Sequence, residues 1–119
     1  MYSITKSLAR NRVEITFDGN HDYSSEEFNA ELRSAALAVR SAEGVFDLLV
    51  DFSKGEVMPQ DATIRSQNNI DWCSENGMRK SANIVPTAIQ KLQLNRVARG
   101  NDRLEFFGTR DEAEAWLDA

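Results

Sequence analysis

The fold is decided by Val45-Phe46-Asp47-Leu48-Leu49-Val50, a run that ends at Asp51. Every residue of the run except Asp47 is apolar, so the segment offers no polar face to water. Short apolar runs of this kind are typical of strands covered on both faces, as in the middle of a parallel sheet. We therefore predict a central parallel strand over residues 45–50, with Asp51 at its carboxyl end.

Two shorter strands precede this run. Val13, Ile15 and Phe17 alternate with polar residues, which predicts a strand over Arg12–Phe17 with one buried face. Ser3–Leu8 is weaker and is predicted as an edge strand, close enough to the next strand to form an antiparallel hairpin. Because an edge strand can pair with another chain, a homodimer is among the expected partners.

The remaining sequence predicts four helices, two more strands and a loop over residues 52–59. The first helix begins at the capping pair Ser24 and Glu27 and carries an apolar stripe from Phe28 to Val39. The second helix covers Asp61 to about Glu75, the third covers Thr87–Ala98, and the fourth begins at the capping pair Thr109 and Glu112. The two further strands are Ser81–Val85 and Leu104–Phe107. The apolar stripe of the second helix is thin, and one face of that helix carries Ile64, Asn68 and Trp72.

The order of these elements predicts the fold class. After the opening hairpin, strands and helices alternate, which favours parallel strands joined by right-handed helical crossovers. We predict an α/β fold in β-β-α-β-α-β-α-β-α order, with a mostly parallel five-stranded sheet, an antiparallel first strand and about four helices covering both faces. The 119 residues contain no linker or repeat, so residues 1–119 are expected to form a single domain.

Composition excludes several classes of function. The formal net charge of -5 disfavours nucleic acid and anionic membrane surfaces, which bind basic proteins. No apolar run is long enough for a membrane span or the core of a signal peptide. The chain has one cysteine, so no intrachain disulfide can form. These features predict a cytoplasmic protein.

Candidate chemistry is sparse. His21 is the only histidine and Cys73 the only cysteine, which is too few for a usual zinc site. His21 lies in a loop where a surface role is the simpler interpretation, and the acidic neighbours of Cys73 would raise its pKa rather than activate it. No glycine-rich phosphate loop is present. We therefore predict no catalytic residue, no metal site and no cofactor.

Asp51 occupies the strongest single position for function. Ligands of open α/β sheets gather outside the carboxyl ends of the strands, where Asp51 is predicted to lie. A phospho-accepting aspartate would also need an acidic cluster for a divalent ion and a lysine after a later strand, and after Phe107 the chain reads Gly108-Thr109-Arg110. The simplest role of Asp51 is to accept hydrogen bonds within its own loop.

Two stretches carry a resemblance to a known family. Phe46-Asp47-Leu48-Leu49-Val50-Asp51-Phe52-Ser53 and the segment from Arg103 to Leu117, with its Ala113-Glu114-Ala115-Trp116-Leu117 end, resemble the central strand and the closing strand and helix of the STAS superfamily. This superfamily comprises the sulfate-transporter and anti-sigma-factor-antagonist domains. The chain is most similar to its small stand-alone bacterial members, described as anti-sigma-factor-antagonist-like. The resemblance implies a non-enzymatic domain that binds a protein.

In regulatory members of this family, a serine or threonine in the turn before the second helix accepts phosphate from a partner kinase. The corresponding turn here reads Met58-Pro59-Gln60-Asp61-Ala62-Thr63 and lacks that pattern. Ser53 comes too early, and Thr63 lies inside the first helical turn. Asp61 could stand in for a permanent charge or could simply favour the helix N-terminus. We therefore predict that the usual phosphoacceptor hydroxyl is missing.

Two functions follow from these observations. The first is a non-enzymatic interaction module that docks a protein partner with the loop after Asp51 and the second helix. The alternative is a carrier or sensor of a small apolar ligand or lipid, held between the second and third helices and the sheet. The predicted partner or ligand surface comprises Asp51, Ser53, Met58, Asp61, Thr63, Ile64 and Trp72.

Overall fold

The computed structural model describes residues 2–19, 26–55, 60–85, 87–89, 91–92, 95 and 101–119, with the backbone alone at residues 19, 55 and 60–66. These residues form five strands and three helices. They are β1 (Tyr2–Ser7), β2 (Arg12–Gly19), α1 (Glu26–Val39), β3 (Phe46–Gly55), α2 (Gln60–Glu75), β4 (Met78–Ile84), β5 (Leu104–Phe107) and α3 (Arg110–Asp118).

The strands form one sheet in the order β1-β2-β3-β4-β5. β1 runs antiparallel to β2, and the remaining pairs are parallel. The predicted α/β class and the antiparallel first strand are therefore confirmed. The predicted helix count of about four differs from the three described helices. Of the predicted helix Thr87–Ala98, residues 88, 89, 91, 92 and 95 are helical and Thr87 forms a bend before them. The other residues of that helix lie outside the described residues, as do Ser24 and His21.

Each face of the sheet buries its own apolar cluster. On the front face, β2 and β3 pack against α1 and against the Cys73 side of α2. The buried front residues include Val13, Ile15, Phe17, Phe28, Leu32, Leu48, Val50, Phe52 and Cys73. On the back face, Leu49 and Ala82 pack against Ala113 and Leu117 of α3. The prediction that β3 is covered on both faces is confirmed.

Two predicted strand boundaries were wrong by three residues or more. β3 continues to Gly55, so residues 52–55 are strand and not loop. The extension is stabilised because Phe52 is buried and stacks on Phe17 at a centroid distance of 5.3 Å. β4 begins at Met78 and not at Ser81. Gly77, with a φ of 111°, turns the chain directly from α2 into the strand, and Met78 is then buried.

The ends of α3 are fixed by side chains. At its start, Thr109 Oγ1 accepts the backbone N–H of Glu112 at 3.3 Å, as the sequence predicts. At its end, Lys80 Nζ donates to the carbonyl of Trp116 at 2.9 Å. Arg79 Nη2 donates to the carbonyl of Leu117 at 3.0 Å. Cations at these carbonyls complement the negative end of the helix dipole and hold α3 on the back face.

Arg12 lies beneath the end of α3. Its side chain is 2% exposed, and its Nη2 donates to Asp118 Oδ1 at 2.7 Å. Among the described residues, its Nε and Nη1 have no hydrogen-bond partner. The hydrogen bond from Arg12 holds the pKa of Asp118 below its ordinary value of 3.8. The contact therefore ties the last turn of α3 to the start of β2.

Candidate functional site

A β-bulge marks the carboxyl end of β3. Thr16 lies opposite Asp51, but Asp18 lies opposite Lys54, so β3 contains one residue more than β2 over this stretch. The bulge takes residues out of the regular ladder, and Asp51 Oδ1 accepts the backbone N–H of Ser53 at 2.8 Å. Asp51 is half-buried and Ser53 is exposed. The bulge places the hydroxyl-bearing Ser53 on the surface next to an oriented carboxylate.

Aromatic side chains support this edge from the front face. Phe52, between the two residues of the bulge, stacks on Phe17, and Phe17 contacts Phe28 of α1 at a centroid distance of 5.2 Å. Tyr2 meets Phe28 edge-on at the same distance. Aromatic pairs at such distances prefer offset-stacked or edge-to-face arrangements and stabilise the packing beyond the area they bury. The bulge is therefore fixed from below, although its polar groups face outward.

Helix α2 packs on α1 through polar side chains. Asn69 is buried and its Nδ2 donates to Asn29 Oδ1. The guanidinium carbon of Arg33 lies 5.2 Å from the centre of the Trp72 ring, within range of a cation–π contact. Cys73, one residue further along, is 1% exposed, and burial raises its pKa to about 12. The described part of this helix–helix contact thus combines an amide pair, a cation on an aromatic ring and a neutral thiol.

The carboxyl end of α2 is anchored on both sides. Asn101 Nδ2 donates to Ser74 Oγ at 2.9 Å, and Arg103 Nη1 donates to the carbonyl of Ser74 at 2.8 Å. Asn76 Nδ2 donates to the carbonyl of Trp72 at 2.7 Å. The bonds from Arg103 and Asn76 satisfy carbonyls that the helix itself leaves free. They hold the last turn of α2 in place next to β4.

The predicted surface residues fall into three groups. Asp51 and Ser53 are brought together by the bulge. Asp61, Thr63 and Ile64 lie in the first turns of α2, where the structure describes the backbone alone, and Met58 lies outside the described residues. Trp72 lies against α1, about 18 Å along the helix axis from Gln60 at 1.5 Å per residue. Trp72 packs against the front-face core, which also contains Phe52 of the bulge.

The predicted face of α2 was wrong at Asn68, and the roles of Asn69 and Lys54 were not predicted. Asn68 is exposed and Asn69 is buried, because the helix is rotated by about one residue from the predicted face. Lys54 was assigned to a loop, but it lies in β3 opposite Asp18. The spacing of Asn69 and Cys73, four residues apart, carried the correct signal for the helix face.

Within the described ranges, no group of three or more histidine, cysteine, aspartate or glutamate residues could hold a metal ion. In the same part of the chain, no helix has the length and apolar character required to cross a membrane.

Comparison with solved structures identifies a similar fold. The crystal structure of an anti-sigma factor antagonist from Mycobacterium paratuberculosis matches with a TM-score of 0.61 and 12% sequence identity, over 100% of this chain and 96% of that chain. The chain has the fold of an anti-sigma factor antagonist. No protein-family model and no curated protein sequence matches it.

This match confirms the STAS-type fold that the resemblance implies. The match covers 100% of this chain and 96% of that chain. At 12% identity the match establishes the architecture alone, and the function must be argued from the residues.

Proposed function

We propose that this domain is a non-enzymatic, STAS-type regulatory module that binds a protein partner at the carboxyl edge of β3 and the first half of α2. The observation that carries the proposal is the bulge at Asp51 and Ser53, placed at the edge where ligands of α/β sheets gather. The full-length likeness to an anti-sigma factor antagonist supports a partner of the anti-sigma factor class.

The polarity of this edge favours a protein partner. Asp51, Ser53 and Lys54 present a carboxylate, a hydroxyl and an ammonium group within four residues, and Ser53 and Lys54 are exposed. Directional polar groups on a surface held by aromatic packing can form the specific hydrogen bonds of a protein interface. The predicted residues Met58, Asp61, Thr63 and Ile64 belong to the same proposed surface.

The proposal includes binding that does not depend on phosphorylation. The turn before α2 lacks the acidic-hydroxyl-hydroxyl-glycine pattern, and Asp61 already supplies a negative charge near the helix start. We expect no phosphate on Thr63 after incubation with ATP and a candidate partner kinase. Mass spectrometry that detects phosphate there would show that the domain is switched by modification.

Site-directed photocrosslinking tests the surface. A photoreactive residue is placed at Ser53 or Lys54, and as a control at Glu43, which is exposed in the turn before β3 at the opposite end of that strand. The variants are mixed with the anti-sigma factors encoded in the same genome. We expect crosslinks to one of them from residues 53 and 54 but not from residue 43. Equal crosslinking from all three positions would reject this surface.

Paired substitutions at Asp51 test whether the shape of the bulge matters. Asp51→Asn keeps an oxygen that can accept the Ser53 N–H, whereas Asp51→Ala removes it. We expect Asp51→Ala to weaken partner binding about fivefold or more, in line with one lost hydrogen bond, and Asp51→Asn to have a smaller effect. Titration calorimetry measures both. Similar losses would mean that the carboxylate charge, and not the bulge, is recognised.

Native mass spectrometry separates this function from the carrier alternative. A carrier purified from cells should retain a small apolar molecule or lipid, which adds a fixed mass to the protein. The docking proposal predicts the mass of the chain alone. A stoichiometric adduct would favour the carrier.

A further inference from the structure

The outer edge of β1 is open in the described part of the chain. β1 pairs with β2 on one side, and no described strand lies on its other side. It contributes six residues, Tyr2–Ser7, without proline, glycine or a bulge. The opposite edge of the sheet, β5, has four residues. Long regular edges are the ones that pair with other strands, and short edges resist pairing.

The two faces of β1 suit pairing with another strand. Ser3 and Thr5 are exposed on the back face, and Tyr2 and Ile4 lie half-buried on the front core. Lys6 is exposed on the front side, and among the described residues no partner of its ammonium group is found. A charged residue on an edge usually prevents pairing unless the incoming strand supplies the opposite charge.

The negative charge that complements Lys6 lies beside Tyr2, at the other end of β1. Tyr2 donates its hydroxyl proton to Glu31 Oε1 at 2.6 Å, and Glu27 also acts on Tyr2 electrostatically. Both glutamates are exposed on α1. When a second β1 pairs antiparallel with Ile4 opposite Ile4, Lys6 of each copy lies opposite Tyr2 of the other. Lys6 then meets the carboxylate of Glu31.

The flanking helices allow this approach. On a helical wheel, Ser34 and Ala38 of α1 share the side of Glu27 and Glu31, towards the edge of β1. Both are exposed and small. In the antiparallel pair, the acidic start of one α1 lies near this small-residue end of the other, so like charges are kept apart. The back face would pair Ser3 with Thr5 of the other copy, a favourable cross-strand combination.

We propose that β1 is a self-association edge, at which a second copy of this chain adds its own β1 antiparallel to form a continuous ten-stranded sheet, with Lys6 of each copy paired to Glu31 of the other. The partner surface at β3 and α2 is separate from this edge. Dimerisation and partner binding can therefore fail independently.

A charge-swap mixture tests the register. Lys6→Glu places like charges at both symmetric positions of its homodimer, and Glu31→Lys does the same. In a mixture of the two variants, the heterodimer contains two complementary pairs. We expect sedimentation velocity to give homodimer dissociation constants about tenfold weaker for each variant alone, and native mass spectrometry to show mainly heterodimer in the mixture.

Matched controls keep the test specific. Lys91→Glu changes the net charge by the same amount at an exposed site outside β1 and should leave the dimer unchanged. Tyr2→Phe removes the hydrogen bond to Glu31 without changing the charge, so it separates the loss of that bond from the loss of the charge. Circular dichroism confirms that each variant is folded. A wild-type chain that is monomeric at all concentrations would overturn the proposal. So would a dimer that is insensitive to Lys6→Glu, or a mixture without preferred heterodimer.

Discussion

Asp47 accepts two hydrogen bonds from Arg79: Nε lies 3.0 Å from Oδ1, and Nη2 lies 2.7 Å from Oδ2. The Asp47 side chain is 7% exposed, whereas the Arg79 side chain is 47% exposed. The pair explains how Asp47, the one polar residue of the apolar run Val45–Val50, is buried. The guanidinium of Arg79 binds both carboxylate oxygens and so compensates for the lost hydration of Asp47. Arg79 also donates to the carbonyl of Leu117 and so holds the end of α3.

Removing Arg79 should cost more than neutralising Asp47. Arg79→Ala leaves a buried carboxylate without its cation, and we expect it to lower the free energy of unfolding by about 2–4 kcal/mol. Asp47→Asn removes the charge but keeps an oxygen acceptor, and should cost about 1–2 kcal/mol. Urea unfolding measures both, with Lys91→Ala as an exposed control. Equal losses would show that the burial of charge is not the main cost.

The contact between Arg12 and Asp118 predicts acid sensitivity. The pKa of Asp118 is lowered in the folded chain, so the unfolded chain takes up this proton first as the pH falls. The contribution is therefore complete above the ordinary pKa of 3.8 and is lost as the pH falls through the folded value. We expect Asp118→Asn to lower the urea midpoint at neutral pH, and the difference from wild type to vanish in strong acid. A constant difference across this range would contradict the assignment.

Tyr2 predicts the reverse behaviour in base. Its hydrogen bond to Glu31 raises its pKa from 10.0 to about 12. Because the folded value is the higher one, the stabilising contribution is present below pH 10.0 and is lost as the pH rises towards about 12. The ultraviolet titration of tyrosinate should contain a late component that Glu31→Gln moves back towards 10.0. A late component that persists in Glu31→Gln would mean that another group controls Tyr2.

Two glycines with positive φ predict unequal costs on substitution. An added Cβ at Gly77, whose φ is 111°, would overlap the backbone carbonyl of Gly44, whereas a Cβ at Gly44, with a φ of 80°, meets no atom within 4 Å. Gly44→Ala should therefore cost about 1 kcal/mol for the backbone conformation alone. In Gly77→Ala, the turn at residue 77 must also shift away from the turn at Gly44, so this substitution should cost about 3 kcal/mol or more. Thermal unfolding of both variants, with Gly108→Ala as a control, checks this order.

Local patterns predicted the parts of the fold that depend on neighbouring residues. The alternation of Val13, Ile15 and Phe17 located β2, and the spacing of Thr109 and Glu112 located the start of α3. The extent of β3 was missed because it depends on a tertiary contact, Phe52 on Phe17, which no window of sequence contains. Hydrophobic periodicity measures local burial and does not contain distant contacts.

The same limit applied to the candidate site. The position of Asp51 followed from the end of an apolar run, but the bulge that orients it depends on the register between β2 and β3. The face of α2 was misassigned because Asn69 is polar, and its burial is stabilised by Asn29, which is 40 residues away. A buried amide pair gives no apolar signal in the sequence.

Cys73 provides a direct measure of how firmly α2 is held. Its thiol is 1% exposed and burial raises its pKa to about 12, so both access and thiolate formation require α2 to move. Reaction with a thiol reagent at mildly alkaline pH should be far slower than for an exposed cysteine. We expect Asn69→Ala, which breaks the bond to Asn29, to accelerate labelling about fivefold or more, in line with one lost buried hydrogen bond. The adjacent, exposed Asn68→Ala serves as the matched control and should leave the rate unchanged. If Asn68→Ala accelerates labelling as much as Asn69→Ala, the amide pair does not hold the helix.

The same labelling rate reports on partner binding. If a partner that binds the first half of α2 loosens the α1–α2 contact, the labelling rate of Cys73 should rise in the complex. A partner that binds without moving α2 should leave that rate unchanged.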